Sequence, residues 1–215
     1  AALDPTDREA RTTLVRLLEQ TERWDELVEA LEREALSTLE PEQKAELYRR
    51  LALLHRERRQ DLEEAIAALR NLRDLVPNDL AGRDMLADAL VEAGEWLEAV
   101  PLLRQQADEA QPPERGTLLG RLARVLEEQL GDLEGAFHAW ARVVEDDPGA
   151  REALARMEAI DERSGNAERL LTTLGYRAEV EPGPERAATL ARMGRIADET
   201  LRDLMQAAEL YARAH

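Results

Sequence analysis

The strongest constraint on this chain is a period. Residues 118–148, LLGRLARVLEEQLGDLEGAFHAWARVVEDDP, return 71 positions earlier at 47–77 as LYRRLALLHRERRQDLEEAIAALRNLRDLVP, and 71 positions later at 189–215 as TLARMGRIADETLRDLMQAAELYARAH. Each copy holds two short helical patterns joined by a hinge at an Asp, and the first two copies close on a proline. A unit of this size buries its apolar face only against its neighbours. The period therefore predicts one continuous array over 1–215 rather than separate globules.

Leu, Ala, Glu and Arg dominate, aromatics are 3% of the chain, and Val/Ile/Thr runs of strand length are missing, so an all-α fold is expected. Six helix pairs follow in order, at about 7–37, 41–77, 79–110, 112–148, 150–180 and 183–215. The first carries Leu14, Leu17 and Leu18, then Trp24, Leu27, Val28, Leu31 and Ala35 at helical spacing. In the second, His55 takes a core-facing place after Leu47, Tyr48, Leu51 and Leu54. The third repeats the first with Leu86, Leu90, Trp96, Ala99 and Leu103, and its Pro101 is expected to bend or delay the helix it interrupts. The fifth is the most degenerate: it keeps Leu154, Met157, Ile160, Leu170, Leu171 and Leu174, but Ala167 stands where Trp24 and Trp96 stand, and loose packing is expected there. Leu3-Asp4-Pro5 matches the repeat tail Leu75-Val76-Pro77, and His215 falls at the place of Val144 inside a helix, so the chain reads as a segment of a longer array.

Five positions are identical in all three copies. Leu62, Leu133 and Leu204, with Ala65, Ala136 and Ala207, are expected in the core, the alanine allowing close helix approach. Asp61, Asp132 and Asp203 stand where the second helix begins and are expected to cap it; Glu64 and Gln206 would complete a capping box in two copies. Arg50, Arg121 and Arg192 recur seven residues before Glu57, Glu128 and Glu199, on one side of the first helix. They read as ion pairs to a neighbouring helix or, alternatively, as a ladder of partner-binding charges.

Helix pairs of about 34 residues with a small residue where the helices meet and a terminal proline resemble tetratricopeptide repeats. The fourth pair follows that pattern with Leu119, Leu122-Ala123, Leu126, Gly131, Ala136, Trp140 and Pro148, and the second with Tyr48, Leu51-Ala52, His55, Ala65, Leu69 and Pro77. Even-numbered pairs depart from it by one extra residue before the turn, and the first pair has Leu27 where a small Ala is usual. The resemblance implies a right-handed α-solenoid of antiparallel helix pairs whose ligands lie along a concave groove formed by the first helix of each pair. Projected onto this sequence, that groove holds Arg16, Glu19 and Gln20; Arg49, Leu53 and Arg56; Asp84, Asp88 and Val91; Arg124, Glu127 and Glu128; and Arg195 with Asp198. The repeats of this family that clamp a chaperone's acidic tail use Lys and Asn at groove positions. Here Lys44, Asn71, Asn78 and Asn166 all fall elsewhere, which argues against such a clamp.

A formal charge of -17 repels phosphate backbones and favours a basic or amphipathic protein or peptide over nucleic acid. No apolar run approaches the roughly 18 residues of a membrane span. The chain is expected to be soluble; the lack of cysteine does not separate a reducing from an oxidising compartment, so localisation stays open with the cytoplasm slightly favoured. His55, His138 and His215 lie in different repeats, and no phosphate loop, nucleophile elbow or HExxH helix occurs, so neither metal, cofactor nor catalysis is expected. The expected function is a non-catalytic scaffold that binds a polypeptide segment in the groove. The alternative is a spacer or self-assembling segment of a larger repeat protein, making homotypic contacts through exposed array ends.

Overall fold

The computed structural model describes residues 5–214; the Leu3-Asp4 match and His215 lie outside it. Among the described residues all regular structure is helical, in six consecutive pairs: α1 (Pro5–Gln20) with α2 (Trp24–Ser37), α3 (Pro41–Leu54) with α4 (Leu62–Leu75), α5 (Leu80–Ala93) with α6 (Trp96–Glu109), α7 (Glu114–Arg124) with α8 (Leu133–Asp146), α9 (Arg151–Ser164) with α10 (Ala167–Val180), and α11 (Gly183–Arg195) with α12 (Leu204–Ala214). The chain divides near Leu102 into two compact units. In the first unit Leu18, Leu27, Leu31, Leu51, Ile66, Leu69, Leu72, Leu86 and Leu90 form one apolar cluster. In the second, Leu171, Leu174, Leu190, Met193, Ala197 and Leu210 form another. Burying each such leucine contributes about 1.5–3 kcal/mol, so the stacked faces hold the pairs together.

The turn between the helices of a pair is where the extra residue of the even-numbered pairs is absorbed. In the odd pairs, Arg23, Glu95 and Asn166 donate their N–H to the carbonyls of Leu18, Leu90 and Asp161, five residues back, at 3.0, 2.9 and 3.1 Å. In the even pairs, Asp61, Asp132 and Asp203 reach the carbonyls of His55, Leu126 and Ala197, six residues back, at 2.9, 2.8 and 2.8 Å. The added residue widens the last turn of the first helix into a π-helical turn, at His55–Arg59, Val125–Gln129 and Ile196–Leu201. The same core carbonyl is thereby met in both kinds of pair. A residue with positive φ closes every one of these turns: Glu22, Gly94 and Gly165 in odd pairs, Gln60, Gly131 and Arg202 in even ones.

The three recurrent aspartates cap the second helices as expected, accepting from the N–H of Glu64 at 3.2 Å, Gly135 at 2.9 Å and Gln206 at 3.0 Å. The capping box is superseded, because the N–H of each aspartate is already committed to the wide turn. Ala65, Ala136 and Ala207 are buried. The recurrent leucine is not the core anchor expected: Leu62 and Leu133 are half-buried and Leu204 is exposed, since the first residue of the second helix flanks the interface and the alanine three places on faces it.

Three further expectations change. Leu14 and Leu17 are 49% and 47% exposed, and Val15 and Leu18 carry the buried face of α1. The equivalent Leu86 and Met157 are 0% and 2% exposed, because in those pairs the preceding second helix, α4 or α8, packs against the first. Helix α6 runs through Pro101 without interruption. The fifth pair is not loosely packed: Met157, Ile160, Leu174 and Ala178 are buried around a fully buried Asp161.

Candidate partner-binding face

The first helices of successive pairs are joined side by side by ion pairs in each unit. In the first unit Arg50 on α3 pairs with Glu19 on α1, Arg49 donates to Asp79 at the start of α5 at 2.6 Å, and Arg56 reaches Glu92 on α5 at 2.9 Å. In the second, Arg124 on α7 meets Glu152 on α9 at 2.8 Å, Arg156 meets Glu128 at 3.2 Å, and Arg163 meets Glu127 at 3.2 Å. Arg192 on α11 pairs with Glu158 and with Glu162, the latter at 2.6 Å. Of the six recurrent charges of the 71-residue unit, Arg50, Arg192 and Glu128 are seam residues, each bonded to the neighbouring first helix.

Most of these groups remain partly exposed, so each pair contributes only about 0–1 kcal/mol. Their collective effect is to fix the orientation of adjacent helices. The hydrogen bond from Arg49 to Asp79 outweighs partial burial and raises the Arg49 pKa above its ordinary value. Second helices are tied in the same way: Glu98 accepts from Arg70 at 2.6 Å and from Arg73 at 2.9 Å, and the Arg70 bond in particular holds its carboxyl below the usual value.

The groove residues expected from sequence divide into three groups. Glu19, Arg49, Arg56, Arg124 and Glu128 are engaged in the seams just described. Arg124 also lies over the Trp140 ring at 5.7 Å; Trp140 is buried because Gly120 opposite it has no side chain, and a Cβ there would sit 3.3 Å from the ring. Glu127 is a correction: it is 9% exposed, sunk in the π-helical turn and covered by Arg156 and Arg163, and so is not presented to a ligand. The remainder are accessible to different extents. Arg16, Gln20, Leu53, Arg195 and Asp198 are exposed, while Asp84, Asp88 and Val91 are half-buried on α5, where Asp84 lies 3.2 Å from Arg83. The structure brings two of these residues together: Glu19 and Leu53 line one depression of about 320 Å³ with Trp24, Arg50 and Arg58.

Sequence reasoning nominated nothing in the fifth pair, yet α9 carries part of this face. A slot of about 550 Å³ opens between α9, the end of α10 and α11. Leu154, Ala155, Val180 and Ala188 line it, with Arg151, Arg177, Glu181, Glu185 and Thr189. Arg177 is neutralised by Glu158 at 2.8 Å and Glu181 at 2.7 Å, and Thr189 donates to Glu181 at 2.5 Å.

Among the described residues no group of three or more His, Asp or Glu side chains is placed to hold a metal ion. No described helix is long and apolar enough to cross a membrane. His55 is 3% exposed, its Nδ1 has no hydrogen-bond partner, and burial, reinforced by the nearby Arg59 charge, lowers its pKa below 6.5.

Residues 46–79 match the family model of the tetratricopeptide repeat. Among solved structures, a point mutant of MamA aligns with a TM-score of 0.50 and 16% identity over 83% of this chain and 100% of that one. YrrB, described as a tetratricopeptide-repeat protein with an unusual peptide-binding site, aligns with a TM-score of 0.45 and 20% identity over 79% of this chain and 84% of that one. At 16% identity the likeness to MamA is one of fold. None of the curated proteins compared matches the chain.

Proposed function

We propose that this chain, a helical-repeat protein with a tetratricopeptide repeat at residues 46–79, is a non-catalytic scaffold that binds a polypeptide segment along the first-helix faces of its pairs. The observation that supports the reading is the set of ion pairs joining one first helix to the next. Arg50–Glu19 and Arg56–Glu92 in one unit, and Arg124–Glu152 and Arg192–Glu162 in the other, make each face a pre-formed surface. A ligand that docks on such a surface need not order it, which lowers the entropic cost of binding. The scaffold binds through many modest contacts, with an extended or helical partner segment as ligand.

The assignment of the paired residues differs from a simple groove. Arg49, Arg56 and Arg124 hold the face in shape, and the exposed Arg16, Leu53 and Arg195 are the contact residues. Peptides selected on the intact chain from a randomised display library test this. Their affinity, read by fluorescence anisotropy, is expected to fall on Leu53→Glu or Arg195→Glu while the thermal midpoint stays within about 2 °C, as for ordinary surface substitutions. A library that yields no binder, or binders indifferent to both substitutions and to the slot on α9, defeats the reading.

A further inference from the structure

The slot between α9 and α11 differs from its counterpart in the first unit by one missing arm. The helices α3 and α9 align through their core-facing residues: Tyr48 with Leu154, Leu51 with Met157, Leu54 with Ile160 and His55 with Asp161, each 106 positions apart. On that alignment Arg49 corresponds to Ala155. In the first unit the Arg49 guanidinium crosses from its helix to Asp79, at the start of the next first helix, at 2.6 Å, and the space between the two helices is spanned. In the second unit Ala155 has no arm to extend, and the slot of about 550 Å³ remains. On its α11 wall, near the start of that helix, stands Glu185, exposed and without a hydrogen bond or ion pair. The other acid of the slot, Glu181, is fully engaged by Arg177 and Thr189.

We infer that the slot takes an arginine side chain from a partner polypeptide, which supplies in trans the arm that Arg49 supplies in cis. Its aliphatic stem lies over Leu154, Ala155, Val180 and Ala188, and its guanidinium pairs with Glu185. Three features select this occupant. The stem of an arginine covers apolar surface while its head stays polar, matching a slot with an apolar lining and a charged rim. A planar guanidinium makes paired hydrogen bonds to a carboxylate that an ammonium cannot reproduce. The formal charge of -17 draws a basic segment toward the chain. Arg151 on the α9 rim is the opposing charge, and with Glu181 held by Arg177 and Thr189, Glu185 is the acid to be matched.

The inference rests on the scaffold reading, and the same peptide selection separates the two. Peptides selected on the intact chain are expected to share one arginine. Replacing that arginine by citrulline, or the protein's Glu185 by Gln, is expected to weaken binding about tenfold, the loss of one charge-assisted pair. Ala155→Arg, which rebuilds the arm of the first unit inside the slot, is expected to weaken it at least as much. The exposed positions 155 and 185 tolerate these changes, and unchanged circular dichroism melts verify it. Binders that depend on Leu53 or Arg195 but not on Ala155 and Glu185 overturn the arginine slot and leave the scaffold standing. Binders that carry an acidic residue and are lost on Arg151→Glu also overturn it, and a library with no binders removes both.

Discussion

The second and fifth pairs put a polar side chain at the same buried place and treat it in opposite ways. His55 and Asp161 occupy equivalent positions near the end of the first helix, and both are removed from water, at 3% and 0% exposure. Asp161 accepts from Arg169 Nε and from Thr173 Oγ1, the latter at 2.8 Å, and its backbone carbonyl takes the N–H of Asn166. Arg169 in turn bonds Glu134 at 2.7 Å and lies 4.0 Å from the centre of the Phe137 ring. His55 has its carbonyl satisfied by Asp61 but leaves Nδ1 unmatched. A pair that matches the tetratricopeptide pattern thus tolerates an unsatisfied atom inside a complete apolar cluster. The pair with Ala167 in place of the tryptophan holds a charged network instead, in which both oxygens of the buried acid are matched while Arg169 Nη2 is left without a partner.

The contrast is testable from its largest consequence downward. Asp161→Ala leaves Arg169 partly buried against a missing partner and is expected to destabilise the second unit by about 3–5 kcal/mol, read from the urea midpoint; a loss under about 1 kcal/mol would mean the network is ornamental. Thr173→Val keeps the shape and removes one hydrogen bond, for an expected loss of about 1–2 kcal/mol. His55→Leu is expected to have the opposite sign, holding or raising stability within about 1 kcal/mol, because it deletes an unmatched polar atom from an apolar site. A clear loss there would show that the imidazole is needed.

The smallest effect is on pH dependence. The folded-state pKa of His55 lies below 6.5, so the unfolded chain takes up that proton first as pH falls. The stability contributed by neutral His55 is complete above 6.5 and is lost as pH falls from there through the folded value. Hydrogen exchange of α3 and α4 at pH 7.5 and 5.5 reads it: protection is expected to fall on acidification in wild type, and by less in His55→Leu.

What could be read from the sequence follows the same division. The period predicts the helix pairs, because Ala65, Ala136 and Ala207 and the capping Asp61, Asp132 and Asp203 act through contacts within a few residues or with the adjacent helix. Even the extra residue of the even pairs is visible, though not the form it takes, since a π-helical turn is one of several ways to absorb an insertion. Asp161 was hidden because its partners lie eight and twelve residues away on another helix, and a lone Asp in a helix reads as solvated. Leu14 and Leu17 misled because periodicity locates an apolar stripe but not whether a neighbour covers it. For the candidate face the chemistry was partly legible. The charges of Arg49, Arg56 and Arg124 were identified, but not that they are committed to Asp79, Glu92 and Glu152. The slot arises from Ala155, a residue whose significance is what it lacks.

The alternation of tight and wide turns also sets the coin in which such a chain can lengthen. A single pair gained or lost by recombination would bring two like turns together, although each turn would still close on the carbonyl of its own first helix. A block of 71 residues, carrying one turn of each kind, can be copied or removed with every junction preserved. The doublet is thus the unit in which the sequence repeats, and adding or deleting whole doublets keeps the alternation of tight and wide turns.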